Sequence, residues 1–170
     1  GELIYTGMER TPIPALVRSL HHRGIMRPVA SECFSTSLDA WLLLGSLPEN
    51  SKSITTADKK PATRDAARIR MARSMLLEPA SFTFADAIEA ATAITESQTL
   101  LIQDAMRTLI QTPLPEDQFV LSGQGEFLAR RVFDLMDWNP STVSLENILG
   151  ADLSRVAPAH AVAMIAQQIV

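Results

Sequence analysis

The stretch Phe119-Val-Leu-Ser-Gly-Gln-Gly-Glu-Phe-Leu128 constrains this chain more than any other. Three apolar residues after a proline-rich approach predict a fully buried strand, and Gly123 and Gly125 predict a tight turn at its end. Phe127, Leu128, Val132, Leu135 and Met136 then recur at helical spacing. A strand that delivers its carboxyl end into a glycine turn and a helix N-terminus opens a crevice faced by backbone N–H groups. Such a crevice is either a ligand site or an ordinary tight β–α connection, and the Gly-x-Gly spacing alone admits both.

At 170 residues, with 46% apolar and 20% charged side chains, the chain has the length and composition of one globular domain with a real core. A net charge of −4 supplies no basic field, so no nucleic-acid partner is expected. The lone Cys33 cannot close an internal disulfide, which fits a reducing, cytoplasmic setting. No apolar run approaches a membrane span and no signal peptide is visible, so no membrane partner is expected either. The chain begins at Gly1 with residues already strand-like, and it reads as a piece of a longer protein.

The first third is β-rich. Leu3-Ile4-Tyr5 predicts a short strand, ended by Gly7 and the Arg10-Thr-Pro-Ile-Pro14 elbow. Residues 15–20 and 25–34 flank a predicted hairpin turn at 21–24, with Gly24 free to take positive φ and Pro28 placing the second arm at an edge. A helix is expected over 37–44, stopped by Gly45 and Pro48. Residues 46–61 form a long polar loop of the kind that serves as a lid. Thr63 caps a helix with the stripe Ala66, Ile69, Ala72 or Arg73, and Leu76, ended by Pro79. Thr83-Phe-Ala-Asp86 resembles a capping box and starts the longest helix. Its stripe is Phe84, Ala87, Ile88, Ala91, Ile94, Leu101, Ile102, Ala105 and Leu109, and Pro113 and Pro115 break the chain after it. A strand over 142–145 and a small-residue helix from Ala157-Pro158, packed closely on a sheet, complete the pattern. Strands followed by β–α–β–α predict a mixed sheet covered by helices in a single domain over 1–170.

Particular sequence words add a resemblance. Gly1-Glu-Leu-Ile-Tyr-Thr-Gly7, Arg10-Thr-Pro-Ile13, Ala30-Ser-Glu32 with Phe34, Leu44-Gly45 with Pro48-Glu49, and Thr56-Ala-Asp58 occur in order. The Met-Ala-Arg73 helix end, Ser122-Gly-Gln-Gly-Glu126 and Ala157-Pro-Ala-His-Ala-Val162 follow. Together they resemble the H4MPT-linked C1 transfer pathway protein family, which includes a methanofuran-biosynthesis synthase. That family is related to hydantoinases and oxoprolinases within the actin-like ATPase superfamily. The resemblance implies an α/β, ribonuclease-H-like half of actin, Hsp70 or sugar-kinase type, corresponding to the C-terminal half of a two-lobed protein. Its first lobe would be the missing N-terminal half. The family's Asp-x-Gly-x-Thr phosphate hairpin is absent from this chain, and Lys59 stands after Asp58 where the family commonly has glycine.

The resemblance implies a transferase that joins a furanmethyl diphosphate to a tyramine phenol with loss of diphosphate, assisted by Mg²⁺. An ATP-dependent small-molecule kinase or oxoprolinase-like hydrolase of the same fold is one alternative. A non-catalytic module that docks a partner, as a homo-oligomer or otherwise, is the other. Gly123, Gln124 and Gly125 would line the cofactor cleft. Glu126, a carboxylate in a first helical turn, is favoured by the helix dipole but repels a phosphate, and so is either a simple N-terminal helix charge or a group that faces ribose hydroxyls, a metal-bound water or a ligand amine. Arg10 and Thr11 sit in a proline-fixed elbow suited to an anion or to clamping a neighbouring loop. Lys59, Lys60, Arg64, Arg68 and Arg73, with Asp58 and Asp65 as counter-charges, form either a diphosphate-attracting lid or a solvated face. Gln98 on the longest helix is a ligand contact or a satisfied buried amide. Glu32 and Asp39 are acidic candidates for metal-water contacts. His21, His22 and His160 show no metal spacing, and Cys33 has no evident base.

Overall fold

The computed structural model describes residues 3–110 and 118–169. Pro113 and Pro115 therefore lie outside the described residues. Where the sequence reads as one domain, the chain divides into two compact units, Gly1–Leu101 and Ile102–Val170.

In the first unit, residues 3–7 form no strand, and Leu3 and Tyr5 are exposed. The elbow is a 3-10 turn over Ile13–Ala15 entered from Pro12, and the Ile13 N–H donates to Ser35 O at 3.2 Å. The antiparallel hairpin pairs β1 (Ser19–His22) with β2 (Ile25–Pro28). Its turn residues Arg23 and Gly24 take φ of 49° and 77°, matching the right-handed twist of the arms. Both arms are shorter than expected, because the chain before Ser19 is already committed to the 3-10 turn and Pro28 has no N–H to extend the ladder.

Helix α1 (Ser37–Leu43) starts in a capping box between Thr36 and Asp39 and is buried along its whole length. It packs against α2 (Arg64–Ser74), which Thr63 caps by accepting from the Ala66 N–H at 3.4 Å. The buried face of α2 is Ala67, Arg70, Met71, Ala72 and Ser74. It is rotated from the expected stripe because a paired arginine occupies a core position that apolar periodicity skips. The helix stops well before Pro79, where Leu76 turns outward at φ 57°.

Helix α3 (Phe84–Leu109) belongs to the first unit up to Leu101. Its seam there is Ala87, Ala90, Ala91, Ile94, Thr95, Gln98 and Thr99, all buried, whereas Phe84, Ile88 and Leu101 are exposed. Small side chains allow close approach, so the seam follows them and leaves the larger apolar groups on the rim. The capping box at its start is present: the Thr83 N–H donates to Asp86 Oδ2 at 2.8 Å, and the Asp86 N–H donates to Thr83 Oγ1 at 3.2 Å.

Asp86 also holds the hairpin turn, accepting from Arg23 Nη2 at 2.9 Å. The Arg23 guanidinium, with the Thr83 hydroxyl and N–H, holds the Asp86 carboxyl well below the usual carboxylate range. This contribution to stability is present in full above the unfolded value of about 4 and is lost as pH falls below it toward the depressed folded value. Urea midpoints measured from pH 6 to 2.5 should fall less steeply for Asp86→Asn than for the parent in the acid limb. Parallel curves would remove Asp86 as a source of acid sensitivity.

The second unit contains a parallel β–α–β element, as the sequence order predicts. Strand β3 (Gln118–Leu121), helix α4 (Glu126–Leu135) and β4 (Ser141–Ser144) follow in order, with Phe119 opposite Thr142 and Leu121 opposite Ser144. Strand β3 is not fully buried: Leu121 is covered, but Val120 is 62% exposed because β4 is its one ladder partner among the described residues. Phe119, Phe133 and Trp138 meet edge-on with ring centroids 4.9–5.6 Å apart, and Leu121, Leu128 and Val132 complete the core. Short helices α5 (Leu145–Leu149) and α6 (Ala151–Arg155) lead into α7 (Ala157–Ile169). The expected close packing of α7 is absent from residues 161–168, which are exposed, including Val162, Met164 and Ile165.

Among the described residues the strands form two separate two-stranded ladders, one antiparallel and one parallel, where the sequence order predicts one mixed sheet. Two strands bury too little surface for the alternation of β3 or the apolar residues of β2 to be enclosed. No helix among the described residues is long and apolar enough to cross a membrane.

Candidate functional site

The densest polar cluster lies in the first unit around Arg70, whose side chain is fully buried. Its Nε and Nη2 donate to Asp39 Oδ1 at 2.9 and 2.7 Å, and its Nη1 donates to Asp58 Oδ1 at 3.0 Å. Asp58 Oδ2 accepts from Arg73 Nη1 at 3.4 Å. Helix α1 supplies Asp39, α2 supplies both arginines, and the 46–61 loop supplies Asp58. Burial pushes the Asp39 carboxyl up, against the pull of the Arg70 guanidinium and the Thr36 N–H, so this carboxylate depends on Arg70 for its charge. Burial also opposes ionisation of Asp58. The Lys60 N–H, the Arg70 charge and hydrogen bond, and the Lys60 charge outweigh it and hold Asp58 below the usual range.

The loop itself is tied down rather than free. Asn50 bridges Ala62, the Thr56 hydroxyl donates to Lys60 O at 2.6 Å, and Glu49 Oε2 accepts from the Arg64 N–H at 2.8 Å. Arg64 Nη2 donates to Leu43 O at 2.8 Å. Arg68 donates to Pro79 O and Phe82 O and pairs with Asp65. The structure thus gives Arg64 and Arg68 internal partners in place of a diphosphate-facing lid surface.

Gln98 is a satisfied amide. Its Oε1 accepts from Trp41 Nε1 at 2.8 Å, and its Nε2 donates to Thr6 Oγ1 at 2.8 Å and Gly7 O at 2.9 Å. Thr11 is similarly engaged: its Oγ1 accepts from the Gly7 N–H at 2.8 Å and contacts Thr6 Oγ1 at 3.2 Å. Both hold the N-terminal segment. Arg10 is exposed.

In the second unit Gly123 takes φ 76°, the left-handed region that favours glycine, and Gly125 is the N-cap of α4. The Gly123 N–H donates to the buried Ser154 Oγ at 2.7 Å, so the bend is closed at that amide by a neighbouring side chain. Gln124 is half-buried and already engaged. Glu126 is buried, and its Oε1 accepts from the Glu146 N–H at 3.1 Å in the first turn of α5. The first-turn carboxylate of Glu126 thus meets an N–H donor supplied by the next helix.

Of the remaining candidates, Glu32, Cys33 and His21 are exposed and His160 is half-buried. His22 packs on Phe82, with its Nε2 3.6 Å from Asp86 Oδ1. No group of three or more His, Cys, Asp or Glu residues among the described ones is arranged to hold a metal ion. The sequence reading missed Arg70. Its place between Ala67 and Ser74 on one helical face was legible, but its pairing with a carboxylate 31 residues away was not.

No family model matches this chain. Two curated proteins named (4-{4-[2-(gamma-L-glutamylamino)ethyl]phenoxymethyl}furan-2-yl)methanamine synthase are similar to it. The protein of Methanocaldococcus jannaschii is 25% identical over 168 residues, which are 99% of this chain and 49% of that protein. The protein of Methanococcus vannielii is 25% identical over 167 residues, which are 97% of this chain and 75% of that protein. The chain spans about half the length of the first of these relatives.

Proposed function

We propose that this chain is part of a synthase in the methanofuran and tetrahydromethanopterin-linked one-carbon pathway. The reaction joins a furanmethyl diphosphate to the phenol oxygen of a tyramine derivative. The phenol gives up its proton, its oxygen forms the ether bond to the methylene carbon, and the carbon–oxygen bond to diphosphate breaks as diphosphate leaves. The observation that carries this reading is similarity along almost the whole chain to synthases whose named product contains a phenoxymethyl-furan ether and a methanamine. Catalysis of such a displacement rests on cationic stabilisation of the departing anion and on positioning of the phenol. The exposed Arg10, on a proline-fixed elbow, is the cation we assign to that anion.

The ribonuclease-H-like fold belongs to the same proposal and is supported by the parallel β3–α4–β4 unit ending in a glycine turn. The Mg²⁺ that the resemblance implies finds no donor set among the described carboxylates, since Asp39 and Asp58 face guanidinium groups and Glu126 faces a backbone N–H. The rival reading, an ATP-dependent enzyme, rests on the glycine turn, and the closure of the Gly123 N–H by Ser154 weighs against it.

The full-length protein, incubated with a furanmethyl diphosphate and γ-glutamyl tyramine, should yield the ether product by mass spectrometry together with diphosphate. Arg10→Ala should lower kcat/KM roughly 10- to 100-fold, the worth of one charge-assisted hydrogen bond. Unchanged turnover would remove Arg10 from the mechanism, and the absence of ether product would overturn the assignment.

A further inference from the structure

Asp58 occupies a place that two guanidinium groups define. Arg70 is fixed from behind by Asp39, whose side chain is 1% exposed, and presents its remaining Nη1 to Asp58 Oδ1. Arg73, with a side chain 41% exposed, presents Nη1 to Asp58 Oδ2 from one helical turn further on. Two cations thus hold the two oxygens of one carboxylate, an arrangement that suits the oxygens of a phosphate or diphosphate group. The charge balance makes Asp58 the exchangeable member. Arg70 is neutralised by the buried Asp39, whereas Arg73 pairs with Asp58, and Asp58 is itself 19% exposed and carried on a loop. Without Asp58 the place retains the charge of Arg73, with Lys59 and Lys60 exposed on the same loop. That loop holds Lys59 at φ 57°, a left-handed conformation strained for lysine.

We propose that the Arg70–Arg73 pair is a seat for a phosphate or diphosphate group, and that Asp58 is the internal anion filling it while the 46–61 loop is closed. Binding of the external anion displaces Asp58, which accepts the Lys60 N–H, and so loosens the turn at residues 57–60, while the ties of Asn50 to Ala62 and of Glu49 to Arg64 stay. That the anion is a diphosphate rests on the synthase reading, but the seat is probed with inorganic diphosphate alone, so a failed synthase assay and a failed seat are told apart.

The test uses the protein as it stands, with inorganic diphosphate titrated at constant ionic strength against a sulfate control. In the parent protein, diphosphate should speed trypsin cleavage after Lys59 at least threefold, and sulfate at equal ionic strength should not; Lys60 precedes Pro61 and is not a trypsin site. Asp58→Asn should bind diphosphate at least tenfold more tightly by calorimetry, and Arg73→Gln should abolish both effects. If diphosphate neither binds the parent or Asp58→Asn nor alters cleavage, the proposal is overturned. Equal effects of sulfate and diphosphate, or binding that survives Arg73→Gln, would show an adventitious ion only and overturn it as well. Should Asp58→Asn fail to fold, the parent and Arg73→Gln cleavage rates decide the matter alone.

Discussion

Replacing Arg70 with alanine is expected to cost about 3–5 kcal/mol of folding stability, because it leaves the Asp39 carboxylate buried without its countercharge. The size of the effect comes from the asymmetry between removing one partner and removing both. Burial already opposes the charge on Asp39, and the guanidinium at 2.7 Å is its principal compensation. A paired exchange, Asp39→Asn with Arg70→Met, should recover most of the loss. An asparagine there still accepts the Thr36 N–H that closes the capping box, methionine fills the space, and Asp58 remains in contact with solvent. Guanidinium denaturation of the three proteins measures this. A single Arg70→Ala variant within about 1 kcal/mol of the parent would mean that the buried charges are stabilised by something other than each other.

The second large effect is expected in the other unit. Phe133 is 5% exposed and stands edge-on to both Phe119 and Trp138. Phe133→Ala should cost about 3–5 kcal/mol, combining lost burial with a cavity that a two-stranded unit is poorly placed to fill. Near-UV circular dichroism should lose the signal of the aromatic trio, and the unfolding midpoint of this unit should fall. A retained aromatic signal with an unchanged midpoint would show that α7 or another element holds the second unit instead.

These expectations separate what was legible in the chain from what was not. Local rules worked where one residue type meets one backbone need. The Arg23-Gly24 hairpin turn, the Thr63 cap, the Thr83–Asp86 capping box and the strand–glycine-turn–helix at Gly123 all appear where the sequence predicts them. Periodicity failed where burial was decided by non-local partners. The buried face of α2 includes Arg70 and the α3 seam includes Gln98, because distant groups satisfy both in place of water, while the buried Thr95 and Thr99 hydroxyls donate to carbonyls of their own helix.

The candidate site divides along the same line. That Gln98 needs partners followed from its place in a helical pattern, whereas Trp41, Thr6 and Gly7 as those partners did not. Glu126 was recognisable as a first-turn carboxylate, yet the structure alone shows that it caps α5.

By itself, then, the sequence determined where helices begin, where the chain must turn, and the order of the second-unit β–α–β element, because those depend on capping groups, glycine and proline within a few residues. Only the tertiary structure decided which charges lie inside, that the 46–61 loop is latched through Asp58, and that Ser154 closes the Gly123 amide. Pairings of that kind join residues 12 to 31 positions apart, and their energy exists only once the intervening chain has folded to bring them within hydrogen-bond reach.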